Sequence, residues 1–148
     1  MATRNTDVAD AQASRKLANG NLVSGKDGHL LATYTTTGAE AAGDLVKIGT
    51  LPKGVRPFFE LMRVSAEAVG GTTATVATIG TLADDDAYSA TAIGITTAIN
   101  SAVTPIAGLS AAAVPLAAET TIYAKLGLAS GSYTSGKKVF FSLPYILG

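Results

Sequence analysis

From residue 29 onward, apolar and polar positions alternate with a period of two. The alternation is cleanest over residues 120–128, where Ile122, Ala124, Leu126 and Leu128 fall on one face and Thr121, Tyr123, Lys125 and Gly127 on the other. Residues 137–145 repeat it, with Val139, Phe141, Leu143 and Tyr145 on one side. Alternation of this kind predicts a strand with one buried face. Residues 29–37 are rich in β-branched and aromatic side chains and residues 74–81 in small and β-branched ones, which also suit strands, and a further strand is expected over residues 44–51. Ile93, Ile95, Thr97 and Ile99 alternate with Gly94, Thr96 and Ala98, which predicts a strand despite the alanines of residues 83–98. Residues 55–64 change phase: Phe59 and Leu61 are odd-numbered, Met62 and Val64 even. Such a change predicts a bulge or a bend. Turn chemistry separates these runs at Pro52-Lys53-Gly54, Gly70-Gly71, Asp84-Asp85-Asp86 and the Ser/Gly-rich residues 130–136.

About seven or eight short strands with turns between them predict an all-β antiparallel sandwich, and eight strands in two sheets would make a jelly roll. The expected domain spans residues 29–148. Its expected core includes Val46, Ile48, Phe59, Leu61, Ile122, Leu126, Val139, Phe141 and Leu143. Residues 1–28 have a different character: their apolar positions are mostly alanine, and they carry Arg4, Asp7, Asp10, Arg15, Lys16, Lys26 and Asp27. They are expected to form an extended or weakly helical N-terminal arm. The weak helix would span residues 7–18, with Asp7 as its N-cap. The arm is expected to reach away from its own sandwich and to order on a different chain, with Arg4, Arg15 and Lys16 meeting carboxylates there.

Composition sharpens this picture. Apolar residues make up 47% of the 148 and charged ones only 15%, against an ordinary charged share of about 25%. Yet no apolar run is long enough for a spanning helix, so no membrane partner is expected. A surface so poor in charge predicts that part of it is covered, by another copy or by a different partner. Eleven basic residues balance eleven acidic ones, and the basic ones are scattered, which argues against a nucleic-acid partner. The polar N-terminus lacks an apolar stretch behind it, so synthesis in a cytoplasm is expected.

The chemistry-bearing residues are few. The chain has no Cys and a single His, His29. Nucleophilic triads need a histidine base beside a nucleophile motif, and no Gly-x-Ser-x-Gly is present. One His cannot supply the cluster that holds a metal in a jelly-roll enzyme. Asp84-Asp85-Asp86 lacks the spacing of a calcium loop and reads as a solvated turn, with a weak shared cation site as the alternative. Glu40, Glu60, Glu67 and Glu119 lie in unrelated segments. No enzyme activity and no cofactor are therefore expected. The five tyrosines leave open a stacking platform for a sugar.

Residues 42–54, Ala-Gly-Asp-Leu-Val-Lys-Ile-Gly-Thr-Leu-Pro-Lys-Gly, together with the hydrophobic run of residues 56–64 and the Gly/Thr-rich residues 70–80, resemble the capsid decoration (cement) proteins of tailed bacteriophages. The resemblance covers about residues 1–82. It implies a jelly-roll-like sandwich on the outer surface of a capsid, where, as a dimer or trimer, it stabilises contacts between major capsid protein subunits. It also implies that the chain has no catalytic residues and resides in the virion. The alternative is another virion module, from a tail, a baseplate or a head fibre, with carbohydrate binding as one version of it.

Overall fold

The structure is a computed structural model that describes residues 1–6, 9, 27–106 and 115–147. The expected helix over residues 7–18 lies almost wholly outside these residues, as do Arg15 and Lys16. The strands are β1 (Thr3–Asn5), β2 (Asp27–Thr35), β3 (Leu45–Leu51), β4 (Val55–Pro57), β5 (Arg63–Ala66), β6 (Thr75–Gly80), β7 (Ile93–Gly94), β8 (Ile99–Ala102), β9 (Thr120–Gly127) and β10 (Lys138–Leu147). They form two sheets, ordered β1-β3-β9-β6-β7 and β2-β10-β5-β8, with β4 beside β5 on the same flank of β10. All pairings are antiparallel except the one between β1 and β3. The chain is an all-β sandwich, as its alternation predicts. Without β1, and with β4 and β5 as one interrupted strand, the eight positions run 1-8-3-6 in one sheet and 2-7-4-5 in the other. Two nested Greek keys produce that order, and it is compatible with a jelly roll.

The core lies between the sheets. Val46, Ile48, Phe59, Ile122, Leu126, Val139, Phe141 and Leu143 are all buried in it, as the alternation requires. Leu61 is not: it is 59% exposed. Residues 55–64 do not form one bent strand. The chain leaves β4 at Pro57, makes a 3-10 turn at Phe59–Leu61, and resumes in β5. That turn absorbs the change of phase. It turns Phe59 inward, where it stacks on Tyr88 at a centroid distance of 4.0 Å, and Leu61 outward. Pro144 of β10 sits opposite this break. Its carbonyl accepts the Phe58 N–H at 2.9 Å, so its missing N–H would point to the flank where pairing already lapses, and the proline removes no ladder bond.

The expected strand over residues 93–99 is also divided. Ile93 pairs in the first sheet and Ile99 in the second, because the chain crosses between the sheets there. Ile95 is fully buried at the crossing, and its backbone is tied by N–H to Ala74 O at 2.8 Å and by C=O to Val69 N at 3.2 Å.

The sheet also begins earlier than the expected boundary at residue 29. Thr3, Arg4 and Asn5 pair with Leu45, Val46 and Lys47, so these residues lie along their own sandwich rather than away from it. Beyond them, Thr6 is fully buried at a bulge in β3, where Ile48 has no partner between the Lys47–Tyr123 and Gly49–Ile122 pairs. A bulge leaves backbone groups unpaired, and the Thr6 hydroxyl donates to the Ile48 carbonyl. Its oxygen accepts the Ala9 N–H at 3.2 Å.

Candidate functional site

Arg4, a residue expected to meet a partner's carboxylate, meets one in its own chain. Its Nε and Nη2 donate to Asp44 Oδ2 at 3.1 and 3.0 Å, and Nη2 also reaches the Ala39 carbonyl at 3.0 Å. Asp44 takes two backbone amides as well, Ala2 N–H at 3.0 Å and Ala41 N–H at 3.1 Å. Burial pushes the Asp44 carboxyl up, but these amides and the guanidinium outweigh it and hold the group below its ordinary value. Beside it Glu40, equally buried, accepts the Tyr34 hydroxyl at 2.5 Å and the Thr37 and Gly38 amides at 2.6 and 2.9 Å. Burial again acts upward and is again outweighed, with Tyr34 contributing most, so Glu40 also stays below the usual carboxylate range. Burial raises the Tyr34 hydroxyl and pushes that of Tyr133 up to about 12, with the Glu40 charge adding to both. The Asp44 and Glu40 carboxylates and the Arg4 guanidinium thus meet partners within the same chain. It is a clasp that holds β1 against β3.

The other chemistry-bearing residues stay apart. Asp85 is committed to Lys125 at 2.7 Å. Asp86 is raised chiefly by the hydrogen bond it shares with Asp84. Among the described residues no three metal-ligating side chains come together. The Asp84 and Asp85 backbone lies against Gly80, where an added Cβ would sit 2.3 Å from the Asp84 carbonyl oxygen; only glycine allows that approach. Of the tyrosines, Tyr34, Tyr133 and Tyr145 are buried and Tyr88 packs on Phe59; Tyr123 stands half-buried on the outer side of β9.

The outer face of the β2-β10-β5-β8 sheet is open. Leu30, Ala32 and Tyr34 point inward from β2 and Val139, Phe141, Leu143 and Tyr145 from β10, so the intervening residues point outward. Across the face they lie in rows set by register: His29 beside Pro144; Leu31, Ser142, Arg63 and Ala102; Thr33, Phe140, Ser65 and Asn100. Among the described residues the exposed large apolar side chains are Met1, Leu31, Leu61, Leu82 and Phe140. Leu31 and Phe140 stand on this face. Leu61 overhangs its end, where it lines a groove of about 410 Å³ with His29, Phe58, Pro144 and Ile146. Arg56 lies beside Ile146. Arg63 is held along the surface by Asn100, through Nε to Oδ1 at 3.0 Å and Nη2 to the carbonyl at 3.2 Å.

The sequence reading missed this face, although the sequence carries its signal. Leu30-Leu31 and Phe140-Phe141 are adjacent apolar pairs inside strands that otherwise alternate. In a period-two strand, such a pair puts an apolar side chain on both faces.

No protein-family model matches the sequence, and no curated protein does. The fold has counterparts among solved structures. A chain from the capsid of Ralstonia phage GP4 is similar over 99% of both chains, with a TM-score of 0.68 and 19% identity. A chain of the cyanophage Pam1 capsid asymmetric unit is similar over 83% of this chain and 84% of its own, with a TM-score of 0.45 and 15% identity. The sandwich is thus the fold of a chain found in a phage capsid.

Proposed function

We propose that this chain is a structural virion protein that binds the outer surface of a phage capsid and stabilises contacts between major capsid protein subunits. The observation that carries this reading is the likeness, end to end in both chains, to a chain of the Ralstonia phage GP4 capsid. Several features of the molecule support it. The charged side chains with the shifted pKa values in the N-terminal clasp hold the chain's own strands together, and the outer sheet face presents apolar side chains to solvent. In this reading the protein works by burying surface, alone or as a dimer or trimer, and not by catalysis.

The test uses heads of the encoding phage assembled without this protein. Purified protein is added back, and co-sedimentation and the temperature of head rupture are measured. Saturable binding with a higher rupture temperature is expected. Protein that stays in the supernatant at micromolar concentration, with heads rupturing at an unchanged temperature, would overturn the proposal.

A further inference from the structure

We propose that the outer face of the β2-β10-β5-β8 sheet is the docking surface, and that its occupant is a carboxylate-bearing apolar surface of the capsid protein. This rests on the capsid reading above and adds which face is used and what chemistry meets it.

The two outer faces of the sandwich differ. On the β1-β3-β9-β6-β7 sheet several outward side chains meet partners in the chain. Lys125 pairs with Asp85, the Thr50 and Thr121 hydroxyls meet at 2.9 Å, and Lys47 stands opposite Tyr123. On the other sheet, Leu31 and Phe140 remain 44% and 40% exposed in the middle of the face. An apolar group in water there is stabilised by any partner that covers it. The residues of β2, β10, β4, β5 and β8, at about 4.8 Å between strands and about 3.3 Å along them, give a face of roughly 400–500 Å². The groove under Leu61 extends it toward the about 800 Å² that one side of an ordinary stable interface buries. Phenylalanine and arginine are also the residue types enriched in such contacts.

Charge selects the occupant. The outward rows carry three cations, Arg56, Arg63 and Lys138, against two carboxylates, Asp27 in the row of Arg56 and Glu67, and Glu67 Oε2 already accepts the Lys138 backbone N–H at 2.8 Å. Arg63, in the middle of the face, is held by the neutral side chain and the carbonyl of Asn100. The chain as a whole is neutral, whereas these rows carry one positive charge in excess. A second copy meeting it face to face would set those cations against themselves. A partner with carboxylates around an apolar patch complements it.

Three variants separate the possibilities: Leu31→Ser with Phe140→Ser, Arg56→Glu with Lys138→Glu, and Lys47→Glu with Tyr123→Ser on the opposite sheet. Each is first shown to melt like the wild type, and its affinity for undecorated heads is then measured at low and high salt. The first two are expected to weaken binding by about 10-fold or more, the scale of a central contact residue. The third should bind like the wild type, and added salt should weaken the wild type more than the charge-reversed variant. Equal binding by the first two, or loss only in the third, would overturn the proposal while leaving the capsid reading intact. Loss of self-association in the Leu31/Phe140 variant with head binding retained would also overturn it, by assigning the face to a second copy. Failure of the wild type to bind heads would remove the capsid reading and this inference together.

Discussion

Replacing Asp44 by Ala is the most informative test of how the N-terminal strand is held. The carboxylate accepts four hydrogen bonds: from Ala2 N, Ala41 N, Arg4 Nε and Arg4 Nη2. Hydrogen bonds to a charged group contribute about 1.5–3 kcal/mol each, but these four do not add. Two of the three donor residues belong to, or adjoin, a three-residue strand, which can detach and let Arg4 return to water. The full penalty of a stranded buried charge, about 3–5 kcal/mol, is therefore avoided. The expected loss is about 2–3 kcal/mol, or roughly 4–12 °C in melting temperature for a domain of this size. Hydrogen exchange localises the effect. The Thr6 and Leu45 amides, bonded to the Lys47 and Ala2 carbonyls, should lose more protection than amides of β9 and β10. Acid supplies an independent check. Asp44 and Glu40 are depressed in the fold, so the native state binds fewer protons than the unfolded chain. The stability they give is complete above their ordinary values of 3.8 and 4.5 and is lost as pH falls through the lower folded values. The gap in stability between wild type and Asp44→Ala should accordingly narrow in acid. An unchanged melting temperature together with unchanged Thr6 and Leu45 protection would refute this account of the clasp.

Other outcomes follow from burial and close approach. Phe141→Ala, at 1% exposure in the centre of β10, should cost about 3–5 kcal/mol in urea unfolding. Leu61→Ser, on the outward side of the 3-10 turn, should stay within about 0.5 kcal/mol of wild type; a loss near that of Phe141→Ala would mean the turn is misplaced. Gly80→Ala forces a Cβ to within 2.3 Å of the Asp84 carbonyl oxygen and should cost about 1–3 kcal/mol through displacement of the residue 84–86 loop, measured as a drop in melting temperature. His29→Ala, at an exposed position on β2, should leave the melting temperature unchanged.

The strands that could be read from the sequence are those with one buried face. In β9 and β10 every second residue enters the core, so the burial pattern is written directly in the side chains. The phase change at residues 59–64 was visible too, but its form was not. A bulge and a 3-10 turn shift the phase alike, and only the turn sends Leu61 to the surface. β1 left no trace, because three polar residues on a parallel edge carry no alternation. What holds them is Arg4 meeting Asp44, forty positions away, and sequence spacing cannot show that contact. The division of residues 93–99 between two sheets was hidden for the opposite reason: the alternation runs straight through a crossing. The outer apolar face stood in the open as Leu30-Leu31 and Phe140-Phe141, yet a reading that assigns each strand one apolar face assigns the second residue of such a pair to no role.

The most direct test of the central claim is a cryo-electron-microscopy map of the encoding phage's heads after the purified protein is added back to heads that lack it. The account predicts density for the two-sheet sandwich on the outside of the shell, bridging neighbouring capsid subunits, with the β2-β10-β5-β8 sheet turned toward them. A shell without that density at saturating protein, or density confined to the tail or baseplate of whole virions, would contradict it.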